Sequence, residues 1–246
     1  MASYIFINSA DRSYPSSTNP SDFSIQINSA LADAPRSSLS VESITFFNLE
    51  YGVNSTNNAL VFRENSDDGT DYSVTITPGN YSATEFVAAL KTAMDAAGSN
   101  TYTVAYSSTT GKINITVLLP DTFKLVSGSM LTNVLGYEAM TSWLATKTAD
   151  YPINLAGTSY VDLALGLSNR NIVSGIGQYR PFIRIPVSVG FGSLVEFTNS
   201  SDSDESIIAT DDLDEFNIVM YNDRRQVFDL PRNAVVSIVL KVKSIF

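Results

Sequence analysis

The chain of 246 residues contains no cysteine and no histidine. Without cysteine there are no disulfides, no thiol nucleophiles and no zinc–thiolate sites. Without histidine, the commonest general base, the commonest metal ligand and the side chain that titrates near neutrality are all missing. Serine–histidine–aspartate and cysteine–histidine catalysis are therefore excluded within this chain. Charge is also sparse. Asp, Glu, Lys and Arg make up 16% of the residues, against about a quarter in ordinary domains, and Ser, Thr and Asn take their place. The longest apolar runs, such as Val117-Leu118-Leu119 and Ile238-Val239-Leu240, fall far short of the roughly 18 residues needed to span a bilayer. No basic stretch followed by an apolar one opens the chain, so neither a secretory signal nor a transmembrane segment is expected. The charge balance is acidic, with 15 basic and 25 acidic side chains and a net charge of −10. The one local basic pair, Arg224-Arg225, lies beside Asp223 and Asp229. With no basic stripe to neutralise phosphates, direct nucleic-acid binding is not expected.

What is present reads as short strands. The run Ser3-Tyr4-Ile5-Phe6-Ile7-Asn8 is β-prone, and residues 9–21, with Pro15 and Pro20 among Ser and Thr, read as an extended arm or loop. Phe23, Ile25 and Ile27 then alternate with polar residues, the period of a half-buried strand. Residues 39–49 form a longer strand whose alternation slips near Ser43, which a β-bulge would reconcile. Two further strands, 59–64 and 72–77, flank the turn-rich Asn65-Ser66-Asp67-Asp68-Gly69-Thr70 and predict a hairpin. Pro78-Gly79 marks a turn. Ser82-Ala83-Thr84-Glu85 is a capping box. It opens a helix whose apolar stripe is Phe86, Val87, Leu90, Met94 and Ala97, ending at Gly98. A second hairpin follows, with Tyr102, Val104 and Tyr106 in one arm and Ile113, Ile115 and Val117 in the other. A short helical turn is expected over 129–135, closed by Gly136. Later strand candidates are 151–155, 160–165, 182–189, 194–198, 216–221 and 235–242. A short strand at Ile207-Ile208 sits between acidic stretches. Pro181 and Pro186 suit an edge position for the strand they bracket.

This pattern predicts an all-β protein: a sandwich of short strands with one amphipathic helix at about 83–97 and short helical turns. No repeat and no linker interrupts it. Residues 1–21 are expected as an N-terminal arm and 22–246 as a single domain, with 59–136 either part of the sandwich or an inserted hairpin–helix–hairpin layer.

No catalytic residue, metal site or cofactor is expected. Asp202, Asp204, Glu205, Asp211, Asp212, Asp214 and Glu215 could offer oxygen ligands to calcium, but they lack the spacing and central glycine of a calcium loop and read as solvated. They are also the only carboxylates available to a glycosidase, and nothing in the sequence places two of them in a cleft. Trp143, Tyr137, Tyr151 and Tyr160 could line a sugar-binding surface, although aromatics in sandwiches ordinarily serve the core. The Asn-x-Ser/Thr triplets at Asn54, Asn80, Asn114 and Asn199 are expected to be unmodified.

Several of these stretches, in their order along the chain, resemble the penton (minor capsid) proteins of icosahedral double-jelly-roll DNA viruses, the virophage, polinton-like and large eukaryotic types. The carriers begin with Asn8-Ser9-Ala10-Asp11-Arg12, Asn19-Pro20-Ser21-Asp22-Phe23 and Ser40-Val41-Glu42-Ser43-Ile44. They continue with Pro78-Gly79-Asn80-Tyr81-Ser82 and its helix, the Tyr102 and Lys112-Ile113-Asn114-Ile115 hairpin, and Leu131 to Gly136. Val227-Phe228-Asp229-Leu230 before the last strand closes the series. The resemblance implies a single jelly roll and a structural, non-enzymatic capsid role. It also implies a homopentamer at the fivefold vertices of a virion, made in the host cytoplasm or a viral factory, with the major capsid protein as neighbour. A carbohydrate- or receptor-binding sandwich of a viral fibre or tail is the alternative. Assembly residues are expected at Asp11 and Arg12, and in the segment carrying Arg170, Ile172, Ile176, Tyr179, Arg180 and Phe182. There apolar, aromatic and arginine side chains combine as they do in interface cores.

Overall fold

The computed structural model of the chain describes residues 2–12, 19–26, 36–65, 70–166, 181–200, 206–209 and 215–244. The first strand, β1 (Ala2–Asn8), places Ile5 and Ile7 inward. A 3-10 turn, Ser9–Asp11, follows it. Next come β2 (Asp22–Gln26) and the long β3 (Arg36–Phe47).

The chain then builds a second compact unit, Tyr51–Gly157, before returning. Here β4 (Ala59–Glu64) and β5 (Tyr72–Thr75) form the expected hairpin. Helix α1 (Ala83–Ala97) begins at the expected capping box: Ser82 Oγ accepts from the Glu85 N–H, and the Glu85 carboxylate accepts from the Ser82 N–H. Strands β6 (Tyr102–Ser107) and β7 (Lys112–Val117) pair as the second hairpin. β8 (Phe123–Ser127) joins β4, and the short helix α2 (Ser129–Asn133) follows. Gly136 adopts φ +73°, and a Cβ there would lie 2.4 Å from the Tyr151 carbonyl oxygen, so only glycine fits this stop. Then β9 (Thr146–Thr148) adds to β7. The unit has its own core, in which Phe62, Phe86, Leu90, Met94, Tyr102, Ile115 and Phe123 are fully buried.

Back in the first unit, β10 (Tyr160–Gly166), β11 (Ile183–Pro186), β12 (Leu194–Thr198), β13 (Ser206–Ala209), β14 (Glu215–Tyr221) and β15 (Ser237–Ser244) complete the set. One sheet runs β1-β15-β3-β12, with β13 also on β3; the other runs β11-β10-β14-β2. Every pairing is antiparallel. Their facing sides share one core that includes Ile7, Phe23, Leu39, Ile44, Phe46, Val161, Ile218 and Ile238. A five-stranded and a four-stranded antiparallel sheet, with the chain passing back and forth between them, make a jelly-roll-like sandwich. The all-β expectation holds. The register slip near Ser43 is a bulge: Val239 opposes Ser43 while Leu240 opposes Val41, leaving Glu42 as the extra residue. The strand bracketed by Pro181 and Pro186 ends its sheet among the described residues.

Three expectations need correction. Residues 2–8 are not an arm but a sheet strand, because their alternating apolar residues complete the core. Instead of a single domain over 22–246 there are two compact units, Met1–Glu50 with Thr158–Phe246, and Tyr51–Gly157. The second has its own apolar core and is inserted between β3 and β10, with bounds wider than 59–136. Residues 151–155 form no strand. Conversely, β8 and β9 are strands beyond the sequence expectation, and the three residues of β9 are too few to establish a period.

Candidate assembly surfaces

The motifs at the start of the chain turn out to be locks within the roll. Asn8 Oδ1 accepts from the Ala10 N–H at 2.8 Å. Ser9 is fully buried: its N–H donates to the Val236 carbonyl and its Oγ accepts from the Val236 N–H, both at 2.9 Å. Arg12 donates from Nη1 to the Ser9 carbonyl at 2.7 Å. The Ser9 bonds tie the turn to Val236, just before the last strand, while Asp11 is exposed. Asn19 does comparable work at the second motif. Its Oδ1 accepts from the Ser21 N–H at 2.9 Å, and its Nδ2 donates to the Phe228 carbonyl at 3.2 Å.

Phe182 packs half-buried against the roll core, and its N–H donates to the Leu163 carbonyl at 2.6 Å. Arg170, Ile172, Ile176, Tyr179 and Arg180 lie outside the described residues, as do Asp202, Asp204, Glu205, Asp211, Asp212 and Asp214. Among the described residues no group of three or more acidic side chains is placed to hold a metal ion. No described helix is long and apolar enough to cross a membrane.

The four aromatics considered for sugar binding do not make one platform. Tyr137 is fully buried, its hydroxyl held between the Ile113 and Lys147 carbonyls at 3.0 and 3.1 Å. Trp143 lies under the Lys124 ammonium, 5.7 Å from the ring centroid. Tyr151 is exposed, and Tyr160 belongs to the other unit.

Two electrostatic devices were not foreseen. On the roll, Arg184 grips Asp162 with two N–H donors, Nε to Oδ1 at 2.8 Å and Nη2 to Oδ2 at 2.9 Å. Its guanidinium also lies 3.7 Å over the Tyr160 ring. The Asp162 side chain is 2% exposed and that of Arg184 56%, so a buried carboxylate is held from the surface by a half-exposed cation. These residues alternate along β10 and β11, and only the register of the two strands reveals that they meet.

In the second unit, the buried Glu64 carboxylate accepts from the Ser99 N–H (2.8 Å), the Asn100 N–H (3.0 Å) and the Tyr102 hydroxyl (2.9 Å). It satisfies backbone donors just past the end of α1, where the chain turns toward β6. The Tyr102 phenol is pushed far above its ordinary range by burial and by the Glu64 carboxylate it donates to.

Large apolar side chains remain exposed in both units. On β1, Phe6 is 77% and Tyr4 49% exposed. In the second unit, Leu118 and Leu119 are 83% and 73% exposed on a turn closed by the Asp121 N–H to Leu118 carbonyl bond. Exposed large apolar side chains of this kind mark candidate surfaces for protein partners.

No protein-family model matches the chain, and no curated protein matches it in sequence. Among solved structures, the chain is similar to a mavirus penton protein, known from a crystal structure of its selenomethionine form. The two are 11% identical with a TM-score of 0.55, and the match covers 99% of this chain and 100% of the other. At that identity the shared property is the fold.

Proposed function

We propose that this chain is a structural, non-enzymatic capsid protein, a penton whose copies close into a homopentamer at the fivefold vertices of an icosahedral virion. The observation that carries the reading is the extent of the fold similarity. It runs through both compact units, from end to end of each chain, whereas a generic jelly roll would match over the sandwich alone. The ordered motifs point the same way, because they serve as locks of this fold. The absence of histidine and cysteine removes the commonest catalytic groups. In this role the chain's partners are further copies of itself and the major capsid protein of the same particle. Its charge-poor surface suits wide contacts at a small desolvation cost.

Mass photometry of the purified chain tests the reading. A closed species of five chains is expected. A strict monomer at micromolar concentration that binds glycans would instead favour the receptor-binding sandwich.

A further inference from the structure

The chain leaves the roll after Glu50 and re-enters it at Thr158, and each unit closes its own side of that passage. On the roll's side the lock is a buried carboxylate. Glu50, 4% exposed, accepts from the Thr158 hydroxyl at Oε2 and from the Asn222 side-chain amide at Oε1, the latter at 2.9 Å. Asn222 is itself fixed by the turn after β14: its Oδ1 accepts from the Arg224 and Gln226 N–H groups, both at 3.0 Å. The next residue of that turn, Asp223, accepts from the Ser159 N–H at 2.9 Å. Exit and re-entry are thus bound to each other and to a third segment of the roll. Both of these donors to Glu50 are neutral, so the grip is one of hydrogen bonds.

On the inserted unit's side, the two ends meet as backbone. A Cβ on Gly52 would lie 2.2 Å from the Leu155 carbonyl oxygen. Asn57 donates from Nδ2 to the Gly52 carbonyl at 2.9 Å, and Val53 and Gly79 exchange backbone hydrogen bonds at 3.2 and 2.9 Å. The two apolar cores share no residue. Separate cores with separately closed ends are the arrangement from which distinct cooperative units arise.

We propose that the inserted unit, Tyr51–Gly157, opens and closes on its own while the roll stays folded, and that Glu50 is the clasp that stops this opening at the roll's boundary. Removing the clasp releases the Thr158 end and leaves the buried Asn222 amide without its acceptor, so that opening spreads to both crossings of the chain.

Native-state hydrogen exchange of the full chain in low urea, read by mass spectrometry, tests both parts. Leu90→Ala hollows the inserted core. It should speed exchange of the α1, β6 and β7 amides about a hundredfold or more and leave those of β3 and β15 at the wild-type rate. Val87→Ala is the milder substitute should Leu90→Ala not fold, and should act in the same direction. Equal acceleration in both units would overturn the proposal, because the chain would then open as one. Glu50→Ala should speed exchange at residues 47–50 and 158–161 about tenfold or more. Glu50→Gln, whose amide can still accept from Asn222 and donate to Thr158, should restore most of that protection. Unchanged protection at those residues in Glu50→Ala would overturn the clasp. Neither readout requires assembly, so a failure here is distinguishable from a failure of the penton reading.

Discussion

The side-chain amide of Asn19 donates to the backbone carbonyl of Phe228 at 3.2 Å, across 209 residues of sequence. The link is one strand of a small knot. The Met220 N–H donates to the Ser21 carbonyl at 2.7 Å, and the Phe228 N–H donates to the Met220 carbonyl at 2.8 Å. The Phe228 ring meets Phe46 edge-on at 5.6 Å in the core. Two stretches that carry the family resemblance, one near each end of the chain, thus meet in space.

Replacing Asn19 with Ala should therefore destabilise the roll out of proportion to its position near the chain start. Loss of the Phe228 and Ser21 bonds should cost about 1–2 kcal/mol. Urea unfolding would measure it, with a lowered midpoint and an unchanged slope.

Gly98 should resist even alanine. A Cβ there would lie 2.2 Å from Glu64 Oε1, and that carboxylate is held by three donors and cannot retreat. Gly98→Ala should cost about 1–3 kcal/mol, and Glu64→Ala about 2–4 kcal/mol because buried donors are left unpaired. In a double-mutant cycle the two should be non-additive, since removing the carboxylate relieves the clash.

Arg184→Ala removes the cation from a buried carboxylate, while Arg184→Lys keeps the charge but loses the fork and most of the stacking. With Arg184 half-exposed, losses of about 1–3 and 0.5–1.5 kcal/mol are expected respectively. Asp162→Asn in the Arg184→Ala background should recover part of the loss, as read by thermal unfolding.

Alkaline stability should be governed by two buried phenols. Burial and the Glu64 carboxylate push Tyr102 up, and burial with the Asp150 charge pushes Tyr137 up. A phenol whose folded pKa is raised contributes stability that is whole below the unfolded value, about 10, and is lost as the pH rises through the folded value. Ultraviolet titration should find Tyr102 and Tyr137 silent until the chain unfolds. Tyr137→Phe should flatten the fall in stability above about pH 10.

Much of this fold was legible because each signal was local. The capping box at Ser82 and Glu85, the Ile113–Val117 alternation and the slip near Ser43 each state their structure within a few residues. The two-unit division was not legible. Nothing in the composition near Glu50 or Thr158 marks a boundary, since the chain leaves and re-enters the roll without a Gly- or Pro-rich linker. The Arg184–Asp162 grip and the Glu64 socket depend on strand register and on a turn 35 residues away, which periodicity does not encode. Asp11 and Arg12 attracted attention as a charge pair, yet the deeper constraint in that motif is the buried Ser9 between them and Asn8.

The vertex assignment is tested most directly by a cryo-EM reconstruction of the particle that carries this chain. The account predicts five copies around each fivefold axis, with the jelly roll among the major capsid proteins. A map in which another chain fills those positions, and this one lies elsewhere or is absent, would contradict it.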